Sequence, residues 1–250
     1  MSFCGIVCLC IAMHGMGAPH AGAPAHGMRE VFPGVRVDMA KKEMEFDGVM
    51  SPLLVRDEHA PLFYLEVLVC SPNTREHETL VVTEVRPSNI HAAMLAIGLK
   101  PGKPGGWKLE DGKLRPVPAE GDPLSVRIVY AGKDGKEVVA DPLDWVINAK
   151  TPETFAAAEK KIAGASGKPP PDWVFAGSRV VKRKIDGAER EVYDADGAGT
   201  IVGLTTFGSE VIGWSRTISP DASVTEPEWV ADLERTPPAR TAVRVRISRK

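Results

Sequence analysis

Cysteine is scarce in this 250-residue chain, and three of its four copies, Cys4, Cys8 and Cys10, fall within the first ten residues. Only Cys70 lies in the body of the sequence. If the first segment is removed, no partner is left for an intramolecular disulfide, which excludes a disulfide-stapled fold. An excess of charge is missing as well, since 31 basic residues face 33 acidic ones for a formal charge of −2. Such a balance provides no global field to gather polyanions, so nucleic acid is not an expected partner. No repeat with a period of roughly 20–50 residues is present, which removes solenoids and propellers. Nor does any motif specify a reaction.

Long apolar runs are absent too. Residues 4–13, CGIVCLCIAM, are the longest, and they are too short to span a bilayer. Followed by small residues, this run reads as a signal peptide over residues 1–25, with Ala23-Pro24-Ala25 as an A-x-A cleavage site before His26. It departs from the usual pattern in having no Lys or Arg ahead of the apolar stretch. The expectation is a secreted or periplasmic mature chain without a stable membrane span. It would comprise a flexible tail at 26–30 and one domain over 31–250, with a flexible insertion at about 151–171. His14, His20 and His26 sit among Gly, Ala and Pro, where no rigid element would fix ligand geometry.

What is present suits a packed domain. The chain is 43% hydrophobic and 26% charged, and at this length folding removes roughly 70–75% of the unfolded surface from water. Val35, Val37 and Met39 alternate with polar neighbours and precede a second run at Met44 and Phe46, which reads as a hairpin. Residues 62–70, LFYLEVLVC, are apolar almost throughout and predict a central strand covered on both faces. Residues 79–85 predict its neighbour. Strict alternation there would put Cys70 on one face with Leu68, Glu66 and Tyr64.

Ile90, Ala93, Met94 and Ile97 recur at helical spacing and predict a core-packing helix over about 88–98, capped by Ser88 and stopped by Gly98. Thr151 and Pro152 open a second helix, about 151–163, placed on an excursion. Asp111-Gly112, Asp134-Gly135 and Asp186-Gly187 each suit a type I′ hairpin turn. Residues 241–247 alternate Val243, Val245 and Ile247 against Arg244 and Arg246, predicting a last strand with a solvated basic edge. The fold class expected is α+β, a mainly antiparallel sheet with one core-packing helix. Trp145, Trp173, Trp214 and Trp229 have apolar neighbours and read as core anchors. Asp194-Ala195-Asp196-Gly197 begins like a calcium loop but lacks the later ligands, and reads as a turn.

One cluster is chemically suggestive. Cys70 ends the predicted central strand, His77 lies in the loop after it, and His91 lies in the first helical turn. A thiolate and two imidazoles suit zinc or copper, with Glu76 or Glu78 able to complete a tetrahedron. The spacing, C-x6-H-x13-H, matches no common zinc signature. Three readings stay open: a metal-binding or redox-accessory site, a thiol enzyme with Cys70 as nucleophile, and a binding or structural module in which Cys70 is a buried apolar residue. A protein partner fits the last of these.

The stretch from Leu65 through Cys70, Pro72, Thr74, Arg75, Glu76, His77 and Glu78 to Pro87, His91, Ala92, Ala93 and Gly98-Leu99-Lys100-Pro101-Gly102 resembles the YdjY-type domain of exported bacterial proteins. Asp172-Trp173-Val174-Phe175-Ala176-Gly177-Ser178 resembles the same family, and residues 151–171 read as an insertion in its pattern. The resemblance implies export and, since some members carry iron-sulfur modules, redox surroundings. This chain lacks the clustered cysteines of such a module. The resemblance names a domain and transfers no reaction.

Overall fold

The computed structural model describes residues 27–55 and 62–250. The expected signal peptide, its expected cleavage site and His26 lie outside the described residues.

Eight strands form a closed ring. In chain order they are β1 (Glu43–Met50), β2 (Val67–Cys70), β3 (Thr79–Val82), β4 (Pro123–Ala131), β5 (Trp173–Val174), β6 (Thr200–Gly203), β7 (Ile212–Trp214) and β8 (Ala242–Arg249). Around the ring the order is β1, β8, β4, β5, β7, β6, β2 and β3, and Val49 and Met50 of β1 then pair with Val82 and Val81 to close it. The β2–β3 and β6–β7 pairs are parallel and the other ring pairs antiparallel. The α+β expectation is therefore wrong, because the molecule is a mostly-β closed barrel. Period-2 alternation tells which side chains face inward, but closure depends on pairings such as Met44 with Ile247, which no local pattern encodes.

The inward set is apolar and buried: Met44, Phe46 and Met50 from β1, Leu124, Val126 and Ile128 from β4, and Val243, Val245 and Ile247 from β8. Burial of each such side chain contributes roughly 1.5–3 kcal/mol against leaving it in water. β8 is not an edge, so the solvated reading of its arginines is also corrected. Arg244 is 3% exposed and Glu45 is wholly buried; their ion pair spans 2.9 Å, and Arg246 reaches Glu45 at 2.6 Å. Cross-strand carboxylates pair with these guanidinium groups.

In the 62–70 run only the last four residues are strand. Register shifts opposite β6 break the expected alternation, so Val67 and Cys70 share a small apolar cluster with Val82, whereas Leu68 and Val69 join the main core. The hairpin partner of β1 is Val35–Asp38, and Arg29–Phe32 pairs with it in turn, taking in Arg29 and Glu30 of the expected tail.

Helix α1 (Pro87–Ala96) buries Ile90, Ala93 and Met94 as its spacing predicts. Its cap is Arg86, with Pro87 in the first turn, and the Ser88 N–H is taken by Asp196 Oδ1 at 2.8 Å. Helix α2 (Phe155–Ser166) starts later than expected, capped by Thr154, because Asn148 bonds back to Glu153 and turns the chain there. It is no excursion. Phe155 is fully buried, edge-on to Trp214 and Trp229, and Glu159 accepts bonds from Trp214 Nε1 and Arg216. Trp145 and Trp173 are likewise core anchors.

Short helix α3 (Asp194–Ala198) replaces the turn expected there. It follows the hairpin Val180–Ile185 with Ala188–Tyr193. The Asp186-Gly187 and Asp111-Gly112 turns have both residues at positive φ, as type I′ requires, whereas at the Asp134-Gly135 turn only Gly135 does. Among the described residues no helix is long and apolar enough to cross a membrane.

Candidate functional site

The residues singled out in the sequence do not share one centre. Cys70 is fully buried at the end of β2. Burial pushes its thiol pKa up, against the opposing pull of the Arg75 amide and the Thr74 and Thr79 hydroxyls. A thiol so placed is a weak nucleophile and packs as an apolar residue.

His77 belongs to a single 3-10 turn, Glu76–Glu78, with its side chain 65% exposed and Nε2 3.6 Å from Glu78 Oε2. Glu78 is held more firmly by Arg75, 2.6 Å away, and the Arg75 guanidinium lies over the Phe207 ring at 3.7 Å. Glu66, just before β2, faces Glu78. Burial first and the neighbouring Glu78 charge second raise its pKa to about 7. Among the described residues, no group of three or more His, Cys, Asp or Glu side chains is arranged to hold a metal ion.

His91 lies elsewhere, on α1, and its setting is the most specific of the four. Nδ1 is 2.9 Å from the Tyr193 hydroxyl, which itself donates to Gly177 O at 3.0 Å. With its hydrogen so committed, the hydroxyl can only accept from His91. Both bonds are made at once when Nδ1 carries the ring proton and Nε2 the lone pair. Phe175 and Tyr193 meet the imidazole edge-on at 4.9 and 5.3 Å. Burial pushes its pKa down, partly countered by the Gly177 carbonyl, which keeps the ring neutral.

The backbone around Gly177 explains why these groups meet. Gly177 has φ +81°, and a Cβ there would come within 2.6 Å of Pro101 Cβ and 3.5 Å of His91 Cε1. Ser178 follows with φ 52°, an uncommon conformation for a residue with a side chain. Its Oγ accepts from Ala195 N and its N–H bonds Glu210 O. The three sequence segments around His91, Pro101 and Gly177 thus converge on one point.

Beside that point lies a cleft of about 360 Å³, lined by Ser88, His91, Gly177, Ser178, Arg179, Val180 and Tyr193. Arg179 Nε donates to Asp194 Oδ2 at 2.9 Å, and Arg183 holds the other oxygen at 2.6 Å. Burial works to raise the Asp194 pKa, but the two guanidinium groups outweigh it and hold the carboxylate ionised. Sequence reasoning found His91 and missed Tyr193, Ser178, Arg179 and Asp194. Ser178 closes one of the two segments that carry the family resemblance, and that was the available signal.

The model of one family, the YdjY domain, matches residues 35–248. No curated protein and no solved structure matches the chain.

Proposed function

The chain belongs to the YdjY domain family, and on that premise we propose that it is a binding module that holds a small polar ligand in the cleft beside His91. One observation carries the reading: the Tyr193–Gly177 hydrogen-bond chain holds the polar imidazole of His91 in one orientation, on a residue that lines the cleft. Such a fixed polar group in a partly apolar concavity is what orients a small ligand. The apolar run at residues 4–13 supports export as the setting in which the module acts. A shared metal or redox centre at Cys70, His77, Glu78 and His91 draws less support, since His91 packs against Phe175 and Tyr193 while Cys70 sits among Thr74 and Thr79.

The test is a broad fragment screen read on histidine-15N-labelled protein. Compounds that move the His91 Nε2 resonance, and lose affinity in Tyr193→Phe, support the reading. A screen whose hits leave that resonance still, or that yields no hits, overturns it.

A further inference from the structure

The hairpin of Gly106–Glu110 with Lys113–Val117 forms a two-stranded sheet separate from the barrel, so among the described residues both of its edges are open. Every residue from 107 to 116 is exposed. One face sets Trp107 opposite Pro116 and Leu109 opposite Leu114, with Leu109 71% and Leu114 67% exposed. Two strands alone are marginal in water, and apolar side chains gathered on a projecting ribbon mark an interaction surface. The other face sets Lys108 opposite Arg115, a like charge, and Glu110 opposite Lys113. Among the described residues Lys108 and Glu110 form no ion pair.

The two edges are not alike. The Asp111-Gly112 turn makes Glu110 and Lys113 the hydrogen-bonded pair, so by alternation the backbone groups of Trp107 and Leu109 point outward on one edge and those of Leu114 and Pro116 on the other. Pro116 has no N–H, which blunts its edge. The Gly106–Glu110 edge keeps every donor, and its Lys108-Leu109-Glu110 segment is complementary in charge to itself read backwards. We infer that this edge takes a second copy of the chain, in antiparallel pairing about a two-fold axis at Leu109, with Lys108 of each copy opposite Glu110 of the other. An axis on Lys108 or Glu110 would set like charges together, and an axis between residues would oppose charged and apolar faces. Pairing about Leu114 on the other edge would set Lys113 against Arg115 twice. In the four-stranded sheet so formed, Leu109 and Leu114 of both copies make one row, and Trp107 lies diagonally within reach of the opposite leucine. So small a contact makes a weak dimer that forms as concentration rises.

Sedimentation equilibrium on the protein from about 10 µM to about 1 mM should show the mass rising from one copy toward two and no further. Lys108→Glu and Glu110→Lys each turn two attractive pairs repulsive through the two-fold axis, and each should weaken the dimer at least about tenfold. Combining the two restores opposite charges and should return the wild-type constant. Both positions are exposed, so the substitutions spare the core. Amide exchange at Leu109 reads the edge directly, and it should slow with concentration in the wild type and the combined variant but not in the single ones. A monomer at every concentration, a dimer indifferent to the single reversals, or a combined variant that stays monomeric would overturn the assignment. Growth past two copies would overturn it as well, because a two-fold pairing closes on itself.

Discussion

His91 Nδ1 and the Tyr193 hydroxyl stand 2.9 Å apart across 102 positions of sequence, and their contact pins helix α1 to the end of the Val180–Tyr193 hairpin. Removing the hydroxyl in Tyr193→Phe leaves the His91 N–H and one bond of Gly177 O unmatched in a half-buried setting. The expected loss is about 1–3 kcal/mol in urea unfolding. The imidazole 15N shifts should also move from a single tautomer to a mixture. Unchanged stability with unchanged shifts would show that the hydroxyl does not set the tautomer.

Stability should respond to pH with two opposite signs. His91 has a folded pKa below its ordinary 6.5 because of burial, so the unfolded chain takes up the proton first and stability falls as pH drops below about 6.5. Glu66 is raised from 4.5 to about 7, so its contribution is full below pH 4.5 and is lost as pH rises through about 7. Glu66→Gln should remove that second dependence. Near pH 8 it should gain roughly 1 kcal/mol on the wild type, after allowing for the partial exposure of the side chain. Parallel stability curves for the two proteins between pH 5 and 8 would contradict the raised pKa.

Cys70 should resist iodoacetamide in the folded protein and react only as fast as the chain opens, because its thiol is buried and its pKa raised. Cys70→Ala is expected to cost about 1–2 kcal/mol as a small cavity while leaving ligand binding at His91 intact. Rapid alkylation in native buffer would return the thiol to the list of reactive groups.

Gly177→Ala should be more damaging than any of these. The residue combines φ +81° with a 2.6 Å approach to Pro101 Cβ, so both backbone and packing must give. A loss of about 2–4 kcal/mol is expected from left-handed strain together with overpacking, and binding at the cleft should be lost alongside it. A variant with wild-type midpoint and affinity would show that the 101–102 segment can shift at no cost.

The apolar pattern made α1 legible down to Ile90, Ala93 and Met94, and it made the hairpins legible through Asp111-Gly112 and Asp186-Gly187, since both signals are local. Barrel closure was not, because it rests on β1 meeting β8, and the inward faces of an open and a closed sheet carry the same alternation. The same limit applied to Arg244. A basic residue on the outward face reads as solvated until the carboxylates of Glu45 and Glu137 are found beside it. At the site, His91 was visible as a residue type, but the Tyr193 hydroxyl that sets its tautomer arrives through a tertiary contact. Cys70 and His77, close in sequence to one another, drew attention for their chemistry; their burial and exposure could only come from packing.

The pairing of β1 with β8 also sets a timetable. β1 leaves the ribosome long before β8, so during synthesis the apolar side of β1 waits for a neighbour that does not yet exist. Closing so distant a pair is slow in itself, and until it happens one seam of the barrel stays open to other chains. Chaperone dependence should therefore be decided at that seam, and a nascent chain stalled before residue 242 should be captured by a holdase where the finished chain is not.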